Sequence, residues 1–333
     1  MPAKLKIHLP DDEGLHKEPV EWWYWTAQGE SAKGDQYALM FVLFKGSVLG
    51  VKNIYFAHWF STDVKQKKFK PHFKVFWKGA DDSGLRNGAL SFSAGPSIGM
   101  RKNKDASYQI KTPDFDLRFK PIKPPLYVGD TGLVDLKTTS TYYYSLPRHE
   151  VSGNVVAGRR GIKFKGLGWM DHQWSPVTLF NQFAWTWFSF QLDNGADLMF
   201  FSFGRKPETV MGMISWPGGK QQTVHKLKMT ALKTRWKSSL SGASYPLEWQ
   251  IDIPSLNLHL TCGPKLLNQE MTHAHFRYWE GPLWVHGNMG DQILKGHGFL
   301  ELNGVPAGKN IILIMLRAVK HKNPWSFLKK IFS

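Results

Sequence analysis

Apolar positions in this chain recur mainly with a period of two, the signature of strands with one buried face. Tyr37–Phe44, Asp197–Phe203 and Lys309–Arg317 read as buried strands. The run from Phe183 to Gln191 alternates, with Phe183, Trp185 and Trp187 on one face. Turn signals punctuate the pattern at Asn87-Gly88, Asp193-Asn-Gly195, Pro217-Gly-Gly219 and Asn303-Gly304. Helical periodicity is scarce; Pro264–Glu270 is one short candidate. A weak internal repeat pairs Trp23-Tyr-Trp25 and Leu39-Met-Phe41 with Trp185-Thr-Trp187 and Leu198-Met-Phe200. Each copy predicts a Trp-bearing strand, a turn and an apolar strand. The expectation is an all-β protein of two related units, residues 1–176 and 177–333, divided where Ser175-Pro176 interrupts the pattern.

Composition sharpens this picture. The 333 residues include 22 Phe, 15 Trp and 10 Tyr, enough aromatic bulk to fill large cores or line a concave apolar site. The net charge is +17, yet its lysines and arginines form only short clusters such as Lys65–Lys68 and Arg101–Lys104. No zinc-finger or RNP-type pattern accompanies them, so solvated basic faces are expected and nucleic acid is not. The C-terminal Trp325–Phe332 places bulky apolar groups beside Lys329 and Lys330, a pattern suited to docking or to peripheral contact with an anionic membrane. The single cysteine, Cys262, allows neither an intrachain disulfide nor a cysteine-based metal site. No run of about 18 apolar residues predicts a membrane-spanning helix. The N-terminus has no apolar h-region, so the chain as given is expected to be cytoplasmic or membrane-peripheral, and exported only if a signal was removed.

Three stretches concentrate polar chemistry within aromatic clusters: Glu21-Trp-Trp-Tyr-Trp-Thr26, Thr141-Tyr-Tyr-Tyr-Ser-Leu-Pro-Arg148 and Gly166-Leu-Gly-Trp-Met-Asp-His-Gln-Trp174. Tyr278-Trp-Glu-Gly-Pro282 and Gly296-His-Gly-Phe-Leu-Glu-Leu302 belong with them. Taken together, over about residues 15–305, they resemble the CrtC/AttH-like family of carotenoid 1,2-hydratase-like proteins. The resemblance implies two tandem lipocalin-like antiparallel β-barrels or sandwiches. It also implies hydration of isoprenoid double bonds, or, by analogy with fungal relatives, cyclisations such as the intramolecular Diels–Alder reaction.

Adding water to an unactivated alkene, or starting an isoprenoid cyclisation, needs a proton delivered to carbon. A carboxylic acid kept neutral by burial can supply it, and aromatic faces can stabilise the cation that forms. Asp171 is the first candidate acid and Glu21 the second. Trp23, Tyr24, Tyr143, Tyr144, Trp169, His172, Trp185, Trp187 and Trp279 are candidate substrate contacts. Strand alternation puts Trp169 and Asp171 on one face and His172 and Trp174 on the other, which also leaves His172 a structural reading. Asp171 could equally anchor buried indole or backbone N–H groups, and the Trp clusters could be core. His273 and His275 have same-face spacing and could ligate a metal with Glu280, but an unsupported His-x-His pair is a weak motif and no metal is expected. No Gly-x-Ser-x-Gly elbow, Walker A loop or Gly-x-Gly-x-x-Gly fingerprint is present, so no cofactor is expected. Three readings stay open: a cofactor-free hydratase or cyclase acting on an apolar isoprenoid or polyene, a non-catalytic lipid or terpenoid carrier, and a pericyclase.

Overall fold

The computed structural model describes residues 4–48, 51–76, 80–136, 139–157, 160–176, 184–204, 209–273 and 276–305. Two large antiparallel sheets account for most of them: a near-closed barrel of 13 strands and a half-barrel of 10. The first is built from strands between Val20 and Ser175, the second from strands between Trp185 and Asn303. Among the described residues helix is confined to single turns at Asp11–Glu13, Ser83–Arg86 and Pro254–Leu256. Among the described residues no helix is long and apolar enough to cross a membrane.

Both sheets are wound the same way. The opening strand Val20–Ser31 forms a hairpin with Gln36–Val48 on one side and pairs with the closing strand Arg160–Ser175 on the other. In the second sheet Trp185–Leu192 is likewise flanked by Asp197–Phe203 and by the closing strand Gln292–Asn303. The internal repeat is thus the opening hairpin of each unit. Its two Trp-x-Trp copies nevertheless differ by one position in facing. Trp23 and Trp25 point into their own barrel, whereas Trp187 packs between the two units. A one-residue offset is enough, because strand side chains alternate faces.

Three apolar clusters result. One fills the N-terminal barrel, one the concave side of the C-terminal half-barrel, and the third lies where their outer faces meet. In that third cluster Tyr24, Met40, Val42, Tyr143 and Trp169 from the first sheet meet Trp187, Met199, Phe201, Tyr278 and Phe299 from the second. Each such side chain buried contributes about 1.5–3 kcal/mol. Polar bonds fix the arrangement. Asp197 of the second sheet is fully buried and pairs with Lys123 at 2.6 Å and Arg148 at 2.9 Å, both from the first unit. Gln191 donates to the Pro147 and Gly168 carbonyls, each at 2.9 Å.

The expected helix at Pro264–Glu270 does not form. Pro264 ends one strand and Glu270 begins another, while Lys265 N–H donates to Pro282 O and Glu280 N–H to Gln269 O. The segment's backbone is spent on the edge of the Phe276–Met289 strand, which outweighs its modest local helix preference. The predicted strand Lys309–Arg317 and the basic tail lie outside the described residues.

Candidate active site between the two barrels

Four strands place the chemistry, each by alternation. Val20–Ser31 turns Trp22 and Tyr24 outward, and Arg160–Ser175 turns out Trp169, Asp171 and Gln173. From the other unit, Phe276–Met289 presents Tyr278 and Glu280, and Gln292–Asn303 presents Phe299 and Glu301. Between them lies a cavity of about 120 Å³. Its walls are largely apolar and aromatic, with Trp22, Tyr24, Tyr143, Trp185, Trp187 and Tyr278 among them, and three carboxyl groups face it: Asp171, Glu280 and Glu301.

Asp171 is held by three donors. Ser145 Oγ and Trp169 Nε1 donate to Oδ1 at 2.6 and 2.7 Å, and Tyr143 Oη donates to Oδ2 at 2.6 Å. Trp187, from the second unit, donates its indole N–H to the Tyr143 oxygen at 2.9 Å. Burial raises the Asp171 pKa, the three donors oppose it, and the balance sits at about 6. At neutral pH this carboxyl is mostly ionised.

Glu280 and Glu301 are directly opposite one another across neighbouring strands. Tyr24 Oη donates to Glu280 Oε1, and the Trp185 indole is hydrogen-bonded to Glu301. Burial, reinforced by the facing Glu301, pushes the Glu280 pKa well above the ordinary carboxylate range. Burial likewise moves Glu301 up to about 7. Two carboxyls so placed retain a proton at neutral pH, because ionising both would set like charges together in a dry site.

The remaining sequence candidates divide by face. Tyr24, Tyr143, Trp185 and Trp187 line the cavity beside Asp171, and Trp169 buttresses Asp171 from the same face. Trp23, Tyr144 and His172 point into the N-terminal barrel, and Trp279 into the core of the C-terminal half-barrel, where its N–H donates to Leu267 O at 2.7 Å. Glu21 also faces the N-terminal barrel, one strand face away from Asp171. It is fully buried and receives hydrogen bonds from His16 Nδ1 at 2.7 Å, His172 Nε2 at 2.9 Å and Lys45 Nζ at 3.2 Å. Burial alone would raise its pKa; the two imidazoles outweigh that and hold it at about 2. His172 goes the other way, to about 4, because burial disfavours its charged form.

His16, Glu21 and His172 bring three ligand-type atoms within 4.8 Å of one another. The Lys45 ammonium already neutralises Glu21, and His172 Nδ1 has no partner among the described residues to orient the ring for a metal. The cluster fits an ion-pair network better than a divalent cation. His275 and the His273 side chain lie outside the described residues. Glu280 and Glu301 are acids the sequence reading did not assign. Their signal was a lone carboxylate among apolar neighbours in each of two motif strands, Tyr278–Pro282 and Phe299–Leu302.

A cavity flanked by two lipocalin-like barrels, with carboxyls contributed by both, defines the class of protein. The chain matches the AttH-like family over residues 1–305 and belongs to it. Dehydratase asqC from Emericella nidulans is 26% identical over 202 residues, which are 56% of this chain and 57% of that protein. The chain thus spans little more than half the length of this curated relative. The fold is shared with an AttH protein from Nitrosomonas europaea, at TM-score 0.79 and 23% identity over 92% of this chain and 99% of the other. Kievitone hydratase from Nectria haematococca superposes with TM-score 0.75 and 16% identity, covering 89% and 92% of the two chains.

Proposed function

We propose that the protein is a cofactor-free hydro-lyase that adds water to, or removes it from, an apolar small molecule held between the barrels. The observation that carries this reading is the arrangement of three carboxyls around one aromatic cavity. Asp171 accepts three hydrogen bonds, which favour its anion, and Glu280 and Glu301 stand opposite each other on adjacent strands, which favours keeping a proton on one of them. Hydration uses both. The Glu280–Glu301 pair gives its proton to an alkene carbon, and the π electrons form the new C–H bond. Water then adds to the resulting cation as Asp171 takes one of its protons. The product is an alcohol, and proton transfer through solvent from Asp171 to the pair restores the start. Dehydration retraces these steps. The proton-donor role expected for Asp171 thereby passes to the pair, since Tyr143, Ser145 and Trp169 all stabilise the Asp171 anion. Apolar walls limit which water reaches the cation.

The names of two similar proteins, a dehydratase and a hydratase, support this reaction type. An isoprenoid or polyene is the first substrate class to try, with ring closure competing when an internal alkene captures the cation in place of water. The test is turnover of candidate alkenes in deuterated water. Deuterium should appear on the carbon adjacent to the one that bears the new hydroxyl. A product without carbon-bound deuterium would refute the protonation step.

A further inference from the structure

We propose that the cavity sorts its guests by charge: it admits a neutral molecule, holds the ammonium analogue of that molecule more tightly, and turns the carboxylate analogue away. The proposal rests on the inter-barrel cavity being the binding site. It goes further than the reaction type, because a hydro-lyase as such is indifferent to charge elsewhere on its substrate.

Asp171, Glu280 and Glu301 face the cavity, and among its described lining residues there is no lysine, arginine or histidine. Behind the lining, His58 is hydrogen-bonded to the Tyr278 hydroxyl at 2.8 Å, and the junction cations Lys123 and Arg148 are committed to Asp197 at 2.6 and 2.9 Å. An anionic guest would therefore add a further buried negative charge with no partner, which is a strong means of exclusion. An ammonium would meet carboxylates directly, and the aromatic lining would add ring–cation attraction. The same features favour a carbocation formed within the cavity, which an ammonium mimics in charge. The protein as a whole works in the opposite sense. Its net charge of +17 draws anions to the surface, so discrimination against them has to come from the cavity itself.

Trp22, Trp185 and Trp187 line the cavity and report occupancy through their fluorescence. The full chain is titrated at pH 7 with cyclohexylmethylamine, cyclohexylmethanol and cyclohexanecarboxylate, which share a skeleton and differ in charge. The amine is expected to bind at least about tenfold tighter than the alcohol, and the carboxylate at least about tenfold weaker. In the D171N/E280Q/E301Q triple variant, shown to be folded by its thermal melt, the amine's advantage over the alcohol should fall to nearly one. The proposal is overturned if the carboxylate binds as well as the alcohol, if none of the three saturates the signal, or if the wild-type order persists in the folded triple variant. Because only binding is read, an intact charge order without turnover would refute the hydro-lyase reading and leave this one standing.

Discussion

Glu280 and Glu301 oppose each other on adjacent strands, the first fully buried and the second partly so, with Tyr24 hydrogen-bonded to one and Trp185 to the other. Such a pair costs stability, since two carboxyls lose their hydration and only one can ionise cheaply. Replacing one by its amide removes the repulsion and keeps the shape. Glu301→Gln is therefore expected to stabilise the protein by about 1–3 kcal/mol. The same change removes the like charge that helps keep Glu280 protonated, so turnover should drop by about 100-fold or more. Thermal melts and steady-state rates on one preparation check both, and a variant that is neither more stable nor slower would refute the assignment.

The three carboxyls also set a pH profile. Activity needs Asp171 ionised, which is lost as pH falls through about 6, and needs a proton on the pair, which Glu280, raised well above the ordinary carboxylate range, keeps after Glu301 ionises at about 7. A bell is expected for kcat/KM, with its acid limb set by Asp171 and its alkaline limb by Glu280. Stability carries a matching sign. Asp171 and Glu301 both have folded pKa values above their unfolded ones, so the folded state binds protons more strongly. Their contribution is most favourable at low pH and declines as pH rises from the ordinary carboxylate range through about 6 and 7. Glu21 opposes them: held at about 2, it stabilises above its unfolded value near 4.5 and loses that contribution as pH falls. Melting temperature recorded from pH 4.5 to 8 should fall less steeply in Asp171→Asn than in wild type. An unchanged slope would show that Asp171 does not titrate as assigned.

Glu21 separates a structural carboxylate from a chemical one. Removing its charge leaves the Lys45 ammonium, only 2% exposed, without its counter-ion. Glu21→Gln should cost about 3–5 kcal/mol, the range for a buried pair broken on one side. The rate per folded molecule should stay near wild type, because Glu21 faces the barrel and not the cavity. A large loss of rate in correctly folded protein would restore the catalytic role that the sequence suggested.

That suggestion shows how far the sequence could be read. Alternation gave the strands, the two-unit organisation and the separation of Asp171 from His172. It could also have set Glu21 with Trp23 and Trp25, away from Tyr24, since these positions share a parity. What alternation cannot tell is which face of a strand meets the other barrel, as both faces here are apolar and buried. Trp185 and Trp187 look like Trp23 and Trp25 in sequence and lie on opposite sides of their sheets. Nor can local pattern show that Glu280 and Glu301 stand side by side, since their pairing comes from register between strands. His16 joins Glu21 through an irregular segment and carried no periodic signal at all.

The last prediction concerns what keeps the cavity shut. Asp197 draws Lys123 and Arg148 of the first unit onto the second, and Lys123 also donates to Ser215 O at 2.9 Å. Burial raises the Asp197 pKa against the pull of both cations, which marks how dry the junction is. In Asp197→Ala, two partly buried cations face each other without a carboxylate, at a cost of about 3–5 kcal/mol. The loss falls on the junction and spares both barrel cores. Calorimetry should therefore show two transitions where the wild type is expected to show one, and tryptophan emission should move to longer wavelength as the cavity rings meet water. One cooperative transition with unchanged emission would mean that apolar packing of Tyr24, Trp169 and Trp187 holds the barrels together without the ion pairs.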